Sequence, residues 1–276
     1  RCFAVWLGHN SCMQLFRALI AFRGFILSSV KREFERRYVR SVFGFVWAIF
    51  EPLSMILVYT LIFSTVMRAR LPGLDDGWAY SIYLCAGILT WGYFVETIQR
   101  CQTVFLDNAS LLKKADFPRI TLPVIIFLST TLNFLIIFGL LCVFLVIVDR
   151  FPGIDILLLI PVLLVQQTLA MGFGMLTGTM NVFFRDVGKA TTILLLFWFW
   201  TTPIVYPISI VPETVQVLIL KWNPMASIVG CYQAILLQQP LPDFEQVLPT
   251  IGLALIMLVL GYWAFRRSSG DLVDEL

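Results

Sequence analysis

Long apolar runs, separated by short polar stretches, dominate the chain. A helix that crosses a bilayer needs about 20 mostly apolar residues, and six stretches are candidates: 42–66, 79–99, 120–148, 156–180, 190–206 and 247–265. The fifth is short. Two further apolar pieces follow it, 208–220 and 225–237, interrupted by prolines and by Asn223-Pro224. Pieces that short do not span and read as re-entrant or interfacial helices packed against protein. Ahead of the first span, Leu15, Leu19, Phe22, Ile26, Val30 and Phe34 recur every three or four residues within 14–40, with basic residues between them. The spacing predicts an amphipathic helix lying on the cytoplasmic leaflet; the charges alone serve equally as a plain anchor. The expected fold is all-α: a cytoplasmic interfacial helix (1–41), six transmembrane helices with re-entrant helices between spans five and six (42–265), and a cytoplasmic tail (266–276).

Lys and Arg set the orientation, because they concentrate in cytoplasmic loops. With the N-terminus inside, only Arg68, Arg70, Arg150 and Lys221 of the 20 basic residues fall outside. That asymmetry predicts an even number of spans and both termini in the cytoplasm. Charged residues make up 13% of the chain, against about 25% in soluble domains. So little polar surface suits a bilayer, and no polar stretch is long enough to hold a soluble domain of about 100 residues. The stretch 1–40 is too basic and amphipathic for a secretory signal peptide. A net charge of +3 gives no nucleic-acid footprint. Six cysteines without a CxxC pair read as reduced, packed thiols, and a lone His9 supports no metal site.

Few residues suggest chemistry. No GxxxxGK[ST] phosphate loop is present, so ATP is not bound in the usual P-loop way. Gly172, Gly174 and Gly178 permit close helix approach. Glu51 precedes Pro52 within the first span, where it either faces a hydrated pathway or pairs with a neighbour near a kink. Glu96 and Arg100 are spaced for a local ion pair. Aromatic residues are dense: Trp47 in the first span, Trp91 and Tyr93 in the second, Phe197, Trp198 and Trp200 in the fifth. They read either as interfacial belts or as the lining of a conduit along which sugar rings slide. In the loop 101–118, Asp107-Asn108 can cap a short helix through Leu111, Leu112, Lys113 and Lys114, which Phe117-Pro118 ends. A stiff cytoplasmic helix there either receives motion from a soluble motor or simply connects two spans. Arg185-Asp186 is a second contact of that kind or a local ion pair.

An ordered set of motifs now resembles one family. Arg37-Tyr38 precedes Ser41-x-x-Gly44-x-x-Trp47, Pro52 and Phe63-Ser64; Leu112-x-Lys114 precedes Phe117-Pro118; then come Asn181-x-Phe183-Phe184-Arg185-Asp186 and Asn223-Pro224. Together they resemble the permease subunits of type-2 ABC exporters that move O-antigen, capsule or teichoic acid. The resemblance implies a homodimer of six-span subunits in the bacterial inner membrane, working with two copies of a separate ATPase. That partner would bind ATP and Mg, this chain would carry no cofactor, and the cargo would be an undecaprenyl-linked polysaccharide. It further implies that Arg36, Arg37 and Tyr38 lie at the cytoplasmic interface. Residues 108–117, with Arg185 and Asp186, would couple to the ATPase. The aromatics would line the channel, and 206–239, with Tyr206, Asn223 and Pro224, would form the periplasmic gate. A type-2 exporter of a small drug or lipid is the nearest alternative. A membrane glycosyltransferase or acyltransferase would need clustered Asp, Glu or His, and here the acids are scattered. A scaffold would not need a coupling-like loop.

Overall fold

The structure is a computed structural model that describes residues 20–38, isolated positions between 46 and 62, 78–113, 118–268 and 270. Among them the regular elements are helical: α1 (Arg23–Tyr38), α2 (Ala79–Asp107), α3 (Ala109–Leu112), α4 (Thr121–Ile147), α5 (Leu159–Phe183), α6 (Asp186–Thr201), α7 (Glu213–Trp222), α8 (Pro224–Leu236) and α9 (Phe244–Ser268). Helices α2, α4, α5 (with the 3-10 turn Gly153–Leu158 ahead of it) and α9 are long and apolar enough to cross a membrane. They match the expected second, third, fourth and sixth spans. The expected first span falls where only isolated positions are described, and Trp47 and Glu51 lie outside the described residues.

The expected fifth span differs. Helix α6 has 16 residues, which rise about 24 Å and stop short of a hydrocarbon core about 30 Å thick. It ends because Thr202 takes an extended conformation ahead of Pro203, as the residue before a proline must. The chain then runs through 203–212 into α7 and α8. Pro224 opens α8 at its first position, and the Asn223 side chain accepts from Met225 N and Ala226 N, the combination that favours a helix start.

Helix α2 is the central element: 72% of its apolar stretch is buried, against 28% for α4 and 17% for α9. Its side chains join Leu141, Leu145, Leu169, Met225 and Tyr232 in the main core. A second cluster at its far end includes Phe105, Leu112, Leu122 and Phe265. Hydroxyls in the helices spend their donors on their own turns, as at Thr90, Thr130 and Thr177, which makes them tolerable in an apolar medium.

Glycines set the closest approaches. A Cβ on Gly172 would lie 2.3 Å from the backbone of Met257 and Leu258 on α9, and one on Gly261 would lie 2.3 Å from the Gly172 carbonyl. Gly178 is equally closed off by the Cys101 carbonyl of α2, at 2.5 Å. The glycine spacing therefore serves helix packing within the chain. Helices α4 and α8 both end on left-handed residues, Asp149 and Gln238; the next amides, Arg150 N and Gln239 N, reach back to Leu145 O and Ala234 O at 2.8 Å, closing the helix ends.

The interfacial helix is modified in one respect. Ile26 and Val30, two members of its apolar stripe, bury against Ile125 of α4. That part of the stripe faces protein and not a leaflet.

Candidate functional site

The site residues expected from the sequence fall at the two ends of the bundle and on α2 and α6. At the end of the bundle where α2 and α5 finish, α3 forms a single four-residue turn. Leu112 anchors it, 1% exposed, in the second core cluster. Lys113 is exposed and Leu111 half-buried, while Lys114 and Phe117 lie outside the described residues. Asn108 does not cap α3. Its Nδ2 donates to Val104 O at 2.8 Å, because α2 runs on through the expected loop as far as Asp107 and its last carbonyls are the nearest unpaired acceptors. Arg185 and Asp186 are both exposed at the start of α6, and no ion pair joins them among the described residues.

Two amides tie this loop to α2. Gln102 Nε2 donates to Val187 O at 3.2 Å, Asn181 Nδ2 donates to Gln102 O at 3.2 Å, and Gly188 N donates to Asn181 Oδ1 at 3.0 Å. The α3 turn and the Arg185-Asp186 loop thus hang on one helix end. Gln102 had no signal in the sequence, since its partner is 85 positions away.

Beside this end lies a polar cluster. Arg100 pairs with Glu96 at 3.3 Å and with Glu33 of α1, and donates to Ser129 at 3.2 Å; Asn133 donates to Glu96 at 2.8 Å. The expected Glu96–Arg100 pair is present, and it extends into a junction of α1, α2 and α4. A cleft of about 370 Å3 opens beside it, walled by Arg32, Glu33, Arg100 and Asp107 among others. Arg36, Arg37 and Tyr38 form the last residues of α1; their side chains lie outside the described set.

The aromatics divide. Trp91 and Tyr93 are 8% and 3% exposed and belong to the interior: Trp91 packs on Phe94, Trp198 and Phe199, and Tyr93 stacks on Phe134. The structure puts neither on an open face. Phe197 and Trp200 are 68% and 60% exposed on α6. Trp198 is half-buried against Phe94 and Phe173, and its indole Nε1 donates to Asn223 Oδ1 at 2.8 Å.

Asn223 is the hinge point of the opposite end. Besides starting α8, it donates from Nδ2 to Thr201 O and Thr202 Oγ1 at 3.2 and 3.0 Å. It therefore holds the end of α6 against the start of α8, so that an expected channel residue and an expected gate residue meet. Pro224 is buried beside it. The broken backbone at 203–206 has no helix to satisfy its carbonyls, and tyrosines of α2 do so. Tyr83 OH donates to Pro203 O and Tyr206 O at 2.9 and 2.8 Å, and Tyr80 OH donates to Val205 O at 2.7 Å. Irregular backbone at membrane depth survives only with such partners. Tyr206 OH in turn donates to Trp200 O at 3.1 Å.

Among the described residues no three His, Cys, Asp or Glu converge on a metal position. The arrangement is that of a multi-pass helical membrane protein with a rigid centre, a short turn at one end and a broken-helix segment at the other. The chain matches the ABC-2 type transporter family over residues 25–237. It is 33% identical over 253 residues to the O-antigen export system permease protein RfbA of Myxococcus xanthus, covering 91% of this chain and 94% of that one. It is 27% identical to the permease of the same name from Klebsiella pneumoniae, over 86% and 88% of the two chains. To the polysialic acid transport protein KpsM of Escherichia coli it is 23% identical, over 72% and 75%. The chain belongs to the ABC-2 type transporter family. It is a transport component rather than an enzyme.

Proposed function

We propose that this chain is the membrane subunit of an ATP-driven exporter that moves a lipid-linked polysaccharide of the O-antigen type from cytoplasm to periplasm. The observation that carries the reading is end-to-end similarity to a permease named for O-antigen export. Two copies of the chain form the passage in the inner membrane, with both termini in the cytoplasm, and two ATPase subunits drive it. The cargo is an undecaprenyl-linked glycan, moved lipid end first or with the lipid flipping while the sugar threads. The α3 turn and the Arg185-Asp186 loop, held on one end of α2, receive the ATPase's motion. Phe197 and Trp200, the exposed aromatics of α6, line the passage; Asn223, Pro224 and Tyr206 belong to the outer gate, which α7 and α8 form as re-entrant helices. Flat ring faces suit a polymer of varying sequence because stacking needs no fixed hydrogen bonds.

The test is deletion of the gene in its host, with lipid-linked glycan measured inside cells and glycan measured at the surface. Accumulation inside with loss outside is expected. Unchanged glycan in both places, with no second exporter in the strain, overturns the reading and leaves a small-molecule or lipid exporter.

A further inference from the structure

We infer that a cavity at the end of the bundle where α2, α5 and α9 begin is a fixed subsite for an uncharged sugar of the passing polymer, an inference that rests on the glycan-export reading and adds a site to it. The cavity is an open cleft of about 340 Å3, within the range of about 300–1,000 Å3 usual for small-molecule sites. It lies between the 203–209 segment after α6, one face of α8 and the 239–246 turn into α9. It is separate from the Trp198 cluster, none of whose rings line it.

The lining selects among ligand classes. Ser209, Gln239 and Gln246 bring a hydroxyl and amides, and among the described residues no Asp, Glu, Lys, Arg or His lines it. A phosphate or carboxylate would find no countercharge there. An acyl chain would make no use of the amides and the hydroxyl. A neutral sugar suits both halves of the wall: its hydroxyls donate and accept as amides and serines do, and its C–H face can lie on the prolines and Leu220. The walls are held in place. Ser227, 2% exposed, donates to Gln246 O at 3.2 Å, which pins α8 to the first turn of α9. Gly230, in the middle of α8, keeps the space open: a Cβ there would meet nothing closer than Pro242 Cγ at 3.8 Å.

The test uses the assembled transporter with its ATPase in nanodiscs. The probe is a neutral oligosaccharide cut from the host's own lipid-linked glycan and fitted with a diazirine. Photolabel is expected on peptides covering 203–209 and 224–246. Gly230→Leu, which fills the cavity, should lower that label at least tenfold, while Gly230→Ala leaves it within twofold, neither variant falling below the wild-type thermal midpoint. If Gly230→Leu does not assemble, Gln246→Leu serves in its place and should lower the label at least threefold. Label confined to other peptides, or label undiminished in the variants, overturns the subsite. A wild-type transporter that exports glycan in cells yet leaves these peptides unlabelled overturns the subsite alone. Export failure as such is read separately, by the deletion strain.

Discussion

Replacing Gly172 or Gly261 by alanine should destabilise the permease in proportion to how far α5 and α9 must separate. Either Cβ would sit 2.3 Å from backbone atoms of the facing helix, where carbon contacts settle at about 3.5–4.0 Å. The obstruction is backbone and not the tip of a flexible side chain, so the axes must part by roughly 1 Å, and overpacking of that kind costs about 1–3 kcal/mol. Alanine's better helix propensity returns only about 0.5–1 kcal/mol, so the net effect is loss. Gly139 and Gly252 are the controls. Both are helical, and an added Cβ meets nothing within 4 Å at either, so alanine there should leave stability unchanged or raise it. The assay is the thermal midpoint of the detergent-solubilised protein by fluorescence-detected size exclusion. Gly172→Ala and Gly261→Ala should fall below wild type while Gly139→Ala and Gly252→Ala do not. Because the Gly261 Cβ would strike the Gly172 carbonyl itself, the double variant should lose less than the sum of the singles. A Gly172→Ala protein with the wild-type midpoint, or a Gly252→Ala protein that falls as far, refutes the packing argument.

Asn223→Ala should lose a helix cap worth about 1 kcal/mol and leave the Trp198 indole unpaired; Asn223→Asp, which keeps the acceptor, should fall between it and wild type in unfolding midpoint. Arg100→Gln leaves Glu33 and Glu96 without their shared partner, so α1 should loosen. Faster trypsin cleavage within α1 would show this, with partial recovery in the Arg100→Gln/Glu33→Gln double variant. Phe197→Ala with Trp200→Ala should reduce surface glycan at an unchanged midpoint, whereas Trp91→Ala, which empties a core position, should cost about 3–5 kcal/mol of stability; equal effects on both readouts would contradict the division between exposed and interior rings. Tyr80→Phe with Tyr83→Phe strips the tyrosine donors from the 203–206 carbonyls, leaving Gln233 Nε2 on Pro203 O at 3.4 Å, and surface glycan should fall while ATP hydrolysis by the complex continues.

Apolar run length was enough to place α2, α4, α5 and α9, because in a bilayer a helix must bond its own backbone and needs no partner pattern to be recognised. The ends were less legible. Helix α2 runs eight residues past the expected boundary at Gln99, through Arg100 and Gln102 to Asp107, because Arg100 is neutralised by Glu96 and Glu33, and Glu33 is 67 positions away in sequence. The aromatic density was visible but its division was not: Trp91 and Trp200 look alike in sequence, and only the packing of α6 on α2 buries one and exposes the other. The Asn223-Pro224 pair was recognised as a break. Its grip on α6 through Trp198, Thr201 and Thr202 depends on a chain reversal that local spacing does not encode.

These contacts give α2 a particular place in the molecule. Its 29 residues extend about 43 Å at 1.5 Å per residue. At one end Gln102 grips the loop that carries Arg185 and Asp186, and α3 follows directly; at the other, Tyr80 and Tyr83 hold the carbonyls of the broken segment after α6. Between them the helix is buried on most sides in close-packed side chains, which resist compression and pass displacement on. Helices α4 and α9, largely exposed, have no comparable hold on both ends. A push on the α3 turn can reach the outer segment through α2, which α3 follows directly and whose tyrosine hydroxyls are the last link, while α6 offers a second route from the Arg185-Asp186 loop into the same segment. The double phenylalanine variant tests that link without touching the turn: hydrolysis that continues while export fails would place the break at the outer end of α2, and undiminished export would mean the motion travels by another route.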